Sequence, residues 1–424
     1  MKRDIRATNY PSRKFPFDND LAKNMMDFYS IIPDTFSMDT NINLPAYDGF
    51  EQGPIRPPSE AHSLLVRVTR NCHWNRCAFC PVYKGTRFSM RPVEHVLKDL
   101  ESIARHEETL SLISSGAGFL LEEDVTTVFN ALPTEETAPF RAALAWFVSG
   151  MESVFLQDAD SLTVRPAKLL IILKRLRELF PAVKRITSYS RSDTIERLSP
   201  EEMGMLNDAG LNRIHIGMES GCDEVLALMR KGVTSEQHVR AGLKVRSAGI
   251  ELSEYYMPGL GGRRLWREHA QDTAAVMNRI NPDFIRLRTL AIPDSLPLAD
   301  EVRAGRFSKC PDILVAEEIL LFLDILEGVT GYLASDHILN LFPELEGRLP
   351  GAIKDMTSLV WEFLTMDPES RFIYQLGRRL GRISRLADAH LPEKKAEIME
   401  TAARIGATPE NLDEITDRIV KRFI

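Results

Sequence analysis

Three of the chain's five cysteines, Cys72, Cys77 and Cys80, fall within the stretch Arg70-Asn71-Cys72-His73-Trp74-Asn75-Arg76-Cys77-Ala78-Phe79-Cys80-Pro81. Their spacing is C-x4-C-x2-C, and they directly follow a short apolar run, residues 63–69, that reads as a buried strand. Thiolates this close together at the end of a strand suit a soft metal or an iron–sulfur cluster. Three are one short of a closed site, and a three-thiolate [4Fe–4S] cluster leaves one iron open to a ligand. Three other readings stand beside it. A plant-type [2Fe–2S] centre begins with the same spacing but needs a fourth cysteine, and the next here is Cys222, far downstream. Zinc could take His73 as fourth ligand, although a residue adjacent to Cys72 is poorly placed to close a tetrahedron. The blandest reading is a set of unliganded buried thiols. The open-iron cluster is favoured.

The rest of the composition bounds the answer. A chain of 424 residues allows two or three domains, and 44% hydrophobic residues can bury a sizeable core. A net charge of −7 weighs against a mainly nucleic-acid-binding protein. No run of apolar residues is long enough for a transmembrane helix, and the basic start lacks the apolar segment of a signal peptide. An odd number of cysteines with three clustered is not a secreted disulfide framework, so a cytoplasmic protein is expected. Cys222 and Cys310 are isolated, which excludes a second cluster built from local cysteines.

The elements that must position the triplet can be read in order. Residues 1–60, rich in Pro, Asp and Phe, read as an irregular N-terminal arm, with Phe15, Phe17, Phe28 and Phe50 as docking residues. A helix is expected from Pro92 to about His106, and an insertion over about 107–150, with a short strand at residues 111–115 and a helix opened by Glu122, Glu123 and Asp124. From residue 150 strands alternate with helices, and six strands are counted from the cysteine strand. The remaining five lie near residues 153–156, 184–189, 211–216, 250–257 and 284–290. Such regularity implies parallel βαβ units, whose active sites sit at the C-terminal ends of the strands. Those ends carry the cysteines, Asp158, Asp160, Ser190, Arg191, Glu219 and a Gly-rich turn at 259–262.

The triplet, with Phe79 just before the last cysteine, resembles the cluster loop of the radical S-adenosylmethionine (radical SAM) enzymes, although the commonest form of that loop has three residues between its first two cysteines and this one has four. The alternation over about residues 61–295 resembles the radical SAM core. The implied fold is α/β, a partial (β/α)6 TIM-like barrel with a helical C-terminal region over 296–424. The block Ile216-Gly217-Met218-Glu219-Ser220-Gly221 looks most like the Elp3/MiaB/HemN-type branch. By the resemblance, Cys72, Cys77 and Cys80 hold a [4Fe–4S] cluster whose open iron chelates SAM, and Phe79 lies near the adenine. Gln157-Asp158-Ala159-Asp160 stands where the family usually has Gly-Gly-Glu, so Asp158 or Asp160 takes the methionine amino group. Glu219 and Ser220 match the element that touches the ribose, Gly259 and Gly261 the turn against adenine and methionine, and Ile292 the backbone contact to adenine. The implied chemistry is reductive cleavage of SAM to methionine and a 5′-deoxyadenosyl radical that abstracts hydrogen from a substrate carbon. An electron donor such as flavodoxin or ferredoxin and anaerobic handling follow from it.

Other polar residues are read from the pattern alone. Arg286 and Arg288, two apart, share a strand face and suit a SAM carboxylate, an acidic substrate group or a buried ion pair. Residues 329–334 read as a strand ending in Ser335-Asp336-His337. If it extends the sheet, Asp336 and His337 reach the same rim as candidates for substrate orientation or proton transfer; the bland reading is a helix cap beside a surface histidine. Arg378, Arg379, Arg382 and Arg385 read as a basic stripe at helical spacing, a solvated face or an RNA contact. A small molecule or tetrapyrrole is the first substrate expectation and RNA the second. An iron–sulfur carrier or sensor without SAM chemistry is the third reading.

Overall fold

The computed structural model describes residues 46–114 and 119–421, so Phe15, Phe17 and Phe28, with most of the expected arm, lie outside the described residues. The chain divides into two compact units, one of residues 1–50 and 101–150 and the other of residues 51–100 and 151–424. The strands are β1 Leu64–Arg67, β2 Thr69–Arg70, β3 Ser89–Met90, β4 Ser153–Gln157, β5 Arg185–Ser190, β6 Leu211–Glu219, β7 Glu251–Tyr256, β8 Phe284–Leu287, β9 Tyr332–Ala334 and β10 Gly347–Arg348.

In the larger unit, eight strands form one sheet in the order β1-β4-β5-β6-β7-β8-β9-β10. Every neighbouring pair from β1 to β9 is parallel, and β10 runs antiparallel to β9. The α/β reading holds, with two strands beyond the six counted from the sequence. All five residues of β4 are buried, as expected of a parallel strand covered on both faces. The crossover helices supply the cover through apolar residues at helical spacing: Pro166–Leu179, with Pro at its first turn, buries Leu169, Ile172, Leu173 and Leu176. Capping boxes at Ser199/Glu202 and Thr234/Gln237 start the helices Pro200–Asp208 and Ser235–Ser247.

Strand register defines two faces. Tyr189 pairs with His215, His215 with Ser253, Tyr255 with Arg286 and Arg286 with Ala334, so these side chains share the inner face. The alternate residue Tyr256 meets Phe322 and His269 on covering helices, at 4.5 and 5.2 Å between ring centroids. On the inner face Phe155, Tyr189, His215 and Tyr255 form an aromatic layer with centroids 5.2–6.4 Å apart.

A fully buried carboxylate, Glu60, reaches the same face. It accepts from Ser63 Oγ at 2.6 Å and Arg185 Nη2 at 3.1 Å, and faces His215 Nε2 at 3.4 Å. Burial works to raise the Glu60 carboxyl, but His215, Arg185 and Ser63 together bring it down to about 2. Burial lowers His215 to about 4, with Glu60 opposing. Both groups are therefore harder to protonate folded than unfolded, and the stability they contribute is lost as pH falls. For His215 the loss runs from about 6.5 to about 4, and for Glu60 from about 4.5 to about 2. The His215 shift alone corresponds to roughly 3 kcal/mol. Urea unfolding between pH 7 and 4 should show this slope, and His215→Gln should flatten it.

In the smaller unit, the helices Glu122–Ala131 and Thr137–Val148 follow the chain's acidic patch. Ser102 Oγ, Arg105 Nη2 and His106 Nε2 converge on Glu136 at 2.8, 3.1 and 2.7 Å. Of the strand expected at 111–115, the described residues 111–114 are helical instead. A helix runs unbroken from Val93 to Ser114, and the apolar pair Leu112-Ile113 belongs to its last turns.

Candidate active site

The cysteine loop leaves the C-terminal end of β1 by way of β2. Its entry is fixed by one buried acid: Asp158 Oδ2 accepts from Arg67 Nε at 3.0 Å, from Arg67 Nη2 at 2.7 Å and from the backbone N–H of Asn71 at 3.1 Å. The residues before β1 brace the same corner. Glu51 pairs with Arg67 at 3.1 Å and Arg70 at 2.5 Å, and Gly53 exchanges two hydrogen bonds with the Gln157 side chain at 2.8 and 3.1 Å.

Further round the loop, Trp74 Nε1 donates to Arg230 O at 2.8 Å and its ring lies under Arg76 and Arg191 at 5.0 and 5.1 Å. Gly232, at φ +75°, leaves room for that ring: a Cβ there would lie 2.1 Å from it. Ala78 donates its N–H to Met229 O at 2.9 Å and accepts from Leu298 N at 3.1 Å. Cys77, Ala78, Phe79 and Ile292 are buried in one apolar cluster with Cys222, Leu260 and Leu298.

All three thiols are free, Cys77 buried and the other two half-buried. Burial pushes the Cys80 thiol up to about 11, against the pull of the Val82 backbone N–H; Cys77 and Cys72 add to the rise and Lys231 opposes it. Cys80 thus lies within electrostatic reach of the other two sulfurs and of the Lys231 ammonium, and backbone donors are nearby, including Asn75 N at 3.4 Å from Cys72 Sγ. That donor set fits a cluster, in which each thiolate binds a separate iron. Among the described residues no three His, Cys, Asp or Glu side chains are grouped to hold a single metal ion. His73 does not complete a zinc site either. Its Nδ1 faces Thr163 Oγ1 at 3.3 Å and Asp160 Oδ2 at 3.5 Å, and its Nε2 faces Asp193 at 3.9 Å.

The other rim residues fall into three groups. Asp160 is fully enclosed, accepting from Ser190 Oγ at 2.9 Å and Thr194 Oγ1 at 2.6 Å, and burial raises its carboxyl against those bonds and His73. Arg191 donates to Asp193 at 2.9 Å and to Lys231 O at 2.8 Å. At the end of β6, Glu219 takes φ +65°, and its carboxylate meets Lys231 Nζ at 3.4 Å; Lys231 in turn lies 5.9 Å from the Phe79 ring. Ser220 Oγ accepts from Cys222 N at 3.0 Å, closing a turn. Gly259, at φ +87°, and Gly261 shape the turn after β7, and a Cβ on Gly261 would lie 2.8 Å from Leu265 O. The third group is at the ends of β8 and β9, where Arg286 on β8 and Arg288 just past it both bind Asp336, just past β9, at 2.5 and 2.7 Å. Burial and Arg288 bring the neighbouring His337 down to about 4.

Sequence reasoning missed the acids that hold these turns. Glu318, fully buried on the helix Asp312–Ile325, accepts from Tyr256 OH at 2.7 Å and from Gly259 N at 3.0 Å, and pairs with His269 at 2.9 Å. No local pattern marks it, because a charge inside an apolar helix is meaningful only once its partners are known. The basic stripe is also corrected. The helix Pro368–Arg379 ends before Arg382 and Arg385, and the two arginines of the stripe that it does carry, Arg378 and Arg379, turn to protein partners. Arg378 donates to Ile338 O and Asn340 O at 3.1 and 2.7 Å, and buried Arg379 binds Leu339 O and Asp312.

Residues 66–272 match the family model described as the radical SAM superfamily. That stretch, just under half of the chain, carries a radical SAM domain, whose family uses a [4Fe–4S] cluster and SAM. Among curated proteins it is similar to the 4′-phospho-dehydrooxetanocin synthase of Priestia megaterium, 28% identical over 52% of this chain and 27% of that protein. It is also similar to the tRNA uridine(34) acetyltransferase of Methanocaldococcus infernus, 21% identical over 60% of this chain and 47% of the other. The chain thus spans between about a quarter and a half of those relatives' lengths. A looser likeness is to coproporphyrinogen III oxidase (HemN) from Escherichia coli, at 15% identity over 62% of this chain and 52% of that one, with a TM-score of 0.41. No helix of the described residues is long and apolar enough to cross a membrane.

Proposed function

We propose that the enzyme holds a [4Fe–4S] cluster on Cys72, Cys77 and Cys80, binds SAM on the same rim, and acts on a small-molecule or tetrapyrrole-like substrate at the inner face of the sheet. The observation that carries the reading is the cysteine loop itself, three free thiols on a loop pinned between Asp158 at its entry and the Met229–Gly232 segment further on. When bound, the reduced cluster and SAM supply one-electron cleavage of SAM and, with it, hydrogen abstraction from carbon.

The chain's own groups orient and enclose. Phe79 and Ile292 offer an apolar surface for an adenine, and Lys231 with Glu219 offers a charge pair beside it. The buried Glu318 holds the Gly259 turn in place. The apolar cluster around Phe79 excludes water from the side where a reactive carbon would lie. Two of the four arginines that favoured an RNA substrate, Arg378 and Arg379, are committed to holding the 338–341 loop and Asp312, and Arg382 pairs with Glu397, which supports the small-molecule reading.

The test is anaerobic reconstitution with iron and sulfide, then dithionite (standing in for a flavodoxin or ferredoxin) and SAM, with products separated chromatographically. The expected products are 5′-deoxyadenosine and methionine. A stable cluster whose electron paramagnetic resonance signal ignores SAM, with no turnover, would replace this reading with that of an electron carrier or sensor.

A further inference from the structure

The geometry points to an anion subsite at Arg286, Arg288 and Asp336 that takes a carboxylate or phosphate group of the substrate. Only the identity of the molecule carrying that group rests on the radical SAM reading. Two guanidinium groups, with side chains 7% and 13% exposed, converge on the single carboxylate of Asp336, so the cluster carries one positive charge in excess. Among the described residues no other acid pairs with either arginine.

Arg286 is otherwise fixed by Ser253 Oγ at 3.1 Å. Arg288 is fixed by Leu287 O at 2.8 Å and by stacking over Tyr255, 4.3 Å from guanidinium carbon to ring centroid. Its Nη2 is buried with no hydrogen-bond partner. A buried guanidinium donor left unpaired is costly, and an anionic oxygen is the acceptor that satisfies it best. Neutral His337 adds no third cation at physiological pH.

The surroundings on the other side are aromatic: Tyr255, on which Arg288 stacks, continues into Tyr189, hydroxyl to hydroxyl at 3.3 Å. SAM also carries a carboxylate. The subsite, however, lies on β8 and just past β9, near the opposite end of the strand order from β1 and the cysteine loop. Among the described residues no hydrogen bond or ion pair joins it to Glu219, Lys231 or that loop.

Inorganic phosphate is the probe, titrated calorimetrically into the reconstituted full chain with and without saturating SAM. Phosphate is expected to bind in both cases. Arg288→Gln should weaken it by about tenfold, the loss of one charge-assisted hydrogen bond. Asp336→Asn should tighten it several-fold, because the competing carboxylate is gone; a merely structural ion pair predicts no such gain. Thermal melting of each variant separates a binding change from misfolding. Absence of phosphate binding, or an Asp336→Asn variant that melts like the wild type yet binds no better, overturns the proposal. Displacement of phosphate by SAM overturns it too, since it assigns the subsite to SAM's own carboxylate. Because the titration needs no turnover, its failure is distinguishable from a failure of SAM cleavage.

Discussion

Replacing any one of Cys72, Cys77 and Cys80 by alanine should leave the chain folded, unable to retain four irons, and without detectable 5′-deoxyadenosine formation. In the proposed cluster the open iron would already lack a protein ligand, so no cysteine in the triplet is spare; Cys310 is buried elsewhere, and Cys222, in the apolar cluster of Cys77, lies outside the loop. The fold should survive. The loop is held by Asp158, by backbone bonds to Met229 and Leu298, and by Trp74 seated against Gly232. Only Cys77 belongs to the buried cluster proper, and a Cys→Ala change there removes a single buried atom, costing about 1 kcal/mol. Iron content, the visible absorption of the cluster and circular dichroism check this together. A colourless but well-folded Cys80→Ala protein that still cleaves SAM would end the assignment.

Asp158→Ala should be nearly as damaging, and by a different route. The side chain neutralises Arg67 and caps the Asn71 N–H, so its loss leaves a largely buried guanidinium short of a partner and frees the first turn of the loop. Breaking such a pair costs about 3 kcal/mol, and Glu51, still bonded to Arg67, should recover part of it. The expected result is a lower melting temperature together with reduced iron retention. The resemblance gives either this residue or Asp160 the job of receiving the methionine amino group. That role predicts the opposite split, with iron and melting unchanged and only the KM for SAM raised, so one variant decides between them.

Much of this was legible in the chain. Three thiols at fixed spacing after an apolar run announce themselves locally, and so do strands that alternate with helices. The apolar run before Ser335 gave β9, which pairs with β8 and brings Asp336 to the arginines. What stayed hidden depends on distance along the chain. Glu60 meets His215, and Arg67 meets Asp158, across 155 and 91 positions. Helical periodicity placed Arg378 and Arg379 on one helix but could not say that they face inward, and Gly381 ended the stripe the spacing promised. A Leu-Ile pair between serines reads equally as a strand or a helix end, and the long helix from Val93 decided it.

The clamp of Arg378 and Arg379 on the 338–341 loop has a consequence for synthesis on the ribosome. The cysteine loop finds its partners at Met229, Arg230 and Leu298, so that half of the rim can consolidate while the C-terminal third is still being translated. The loop that carries Asp336 onward is held to the end of β8 by Thr289 and Asn340, and its last clamp closes only after the helix Pro368–Arg379 has emerged. If the proposed sites hold, a nascent chain stalled before that helix would have its cysteine loop in place while the Asp336 end was unfinished, and metal could be loaded before the substrate end was complete.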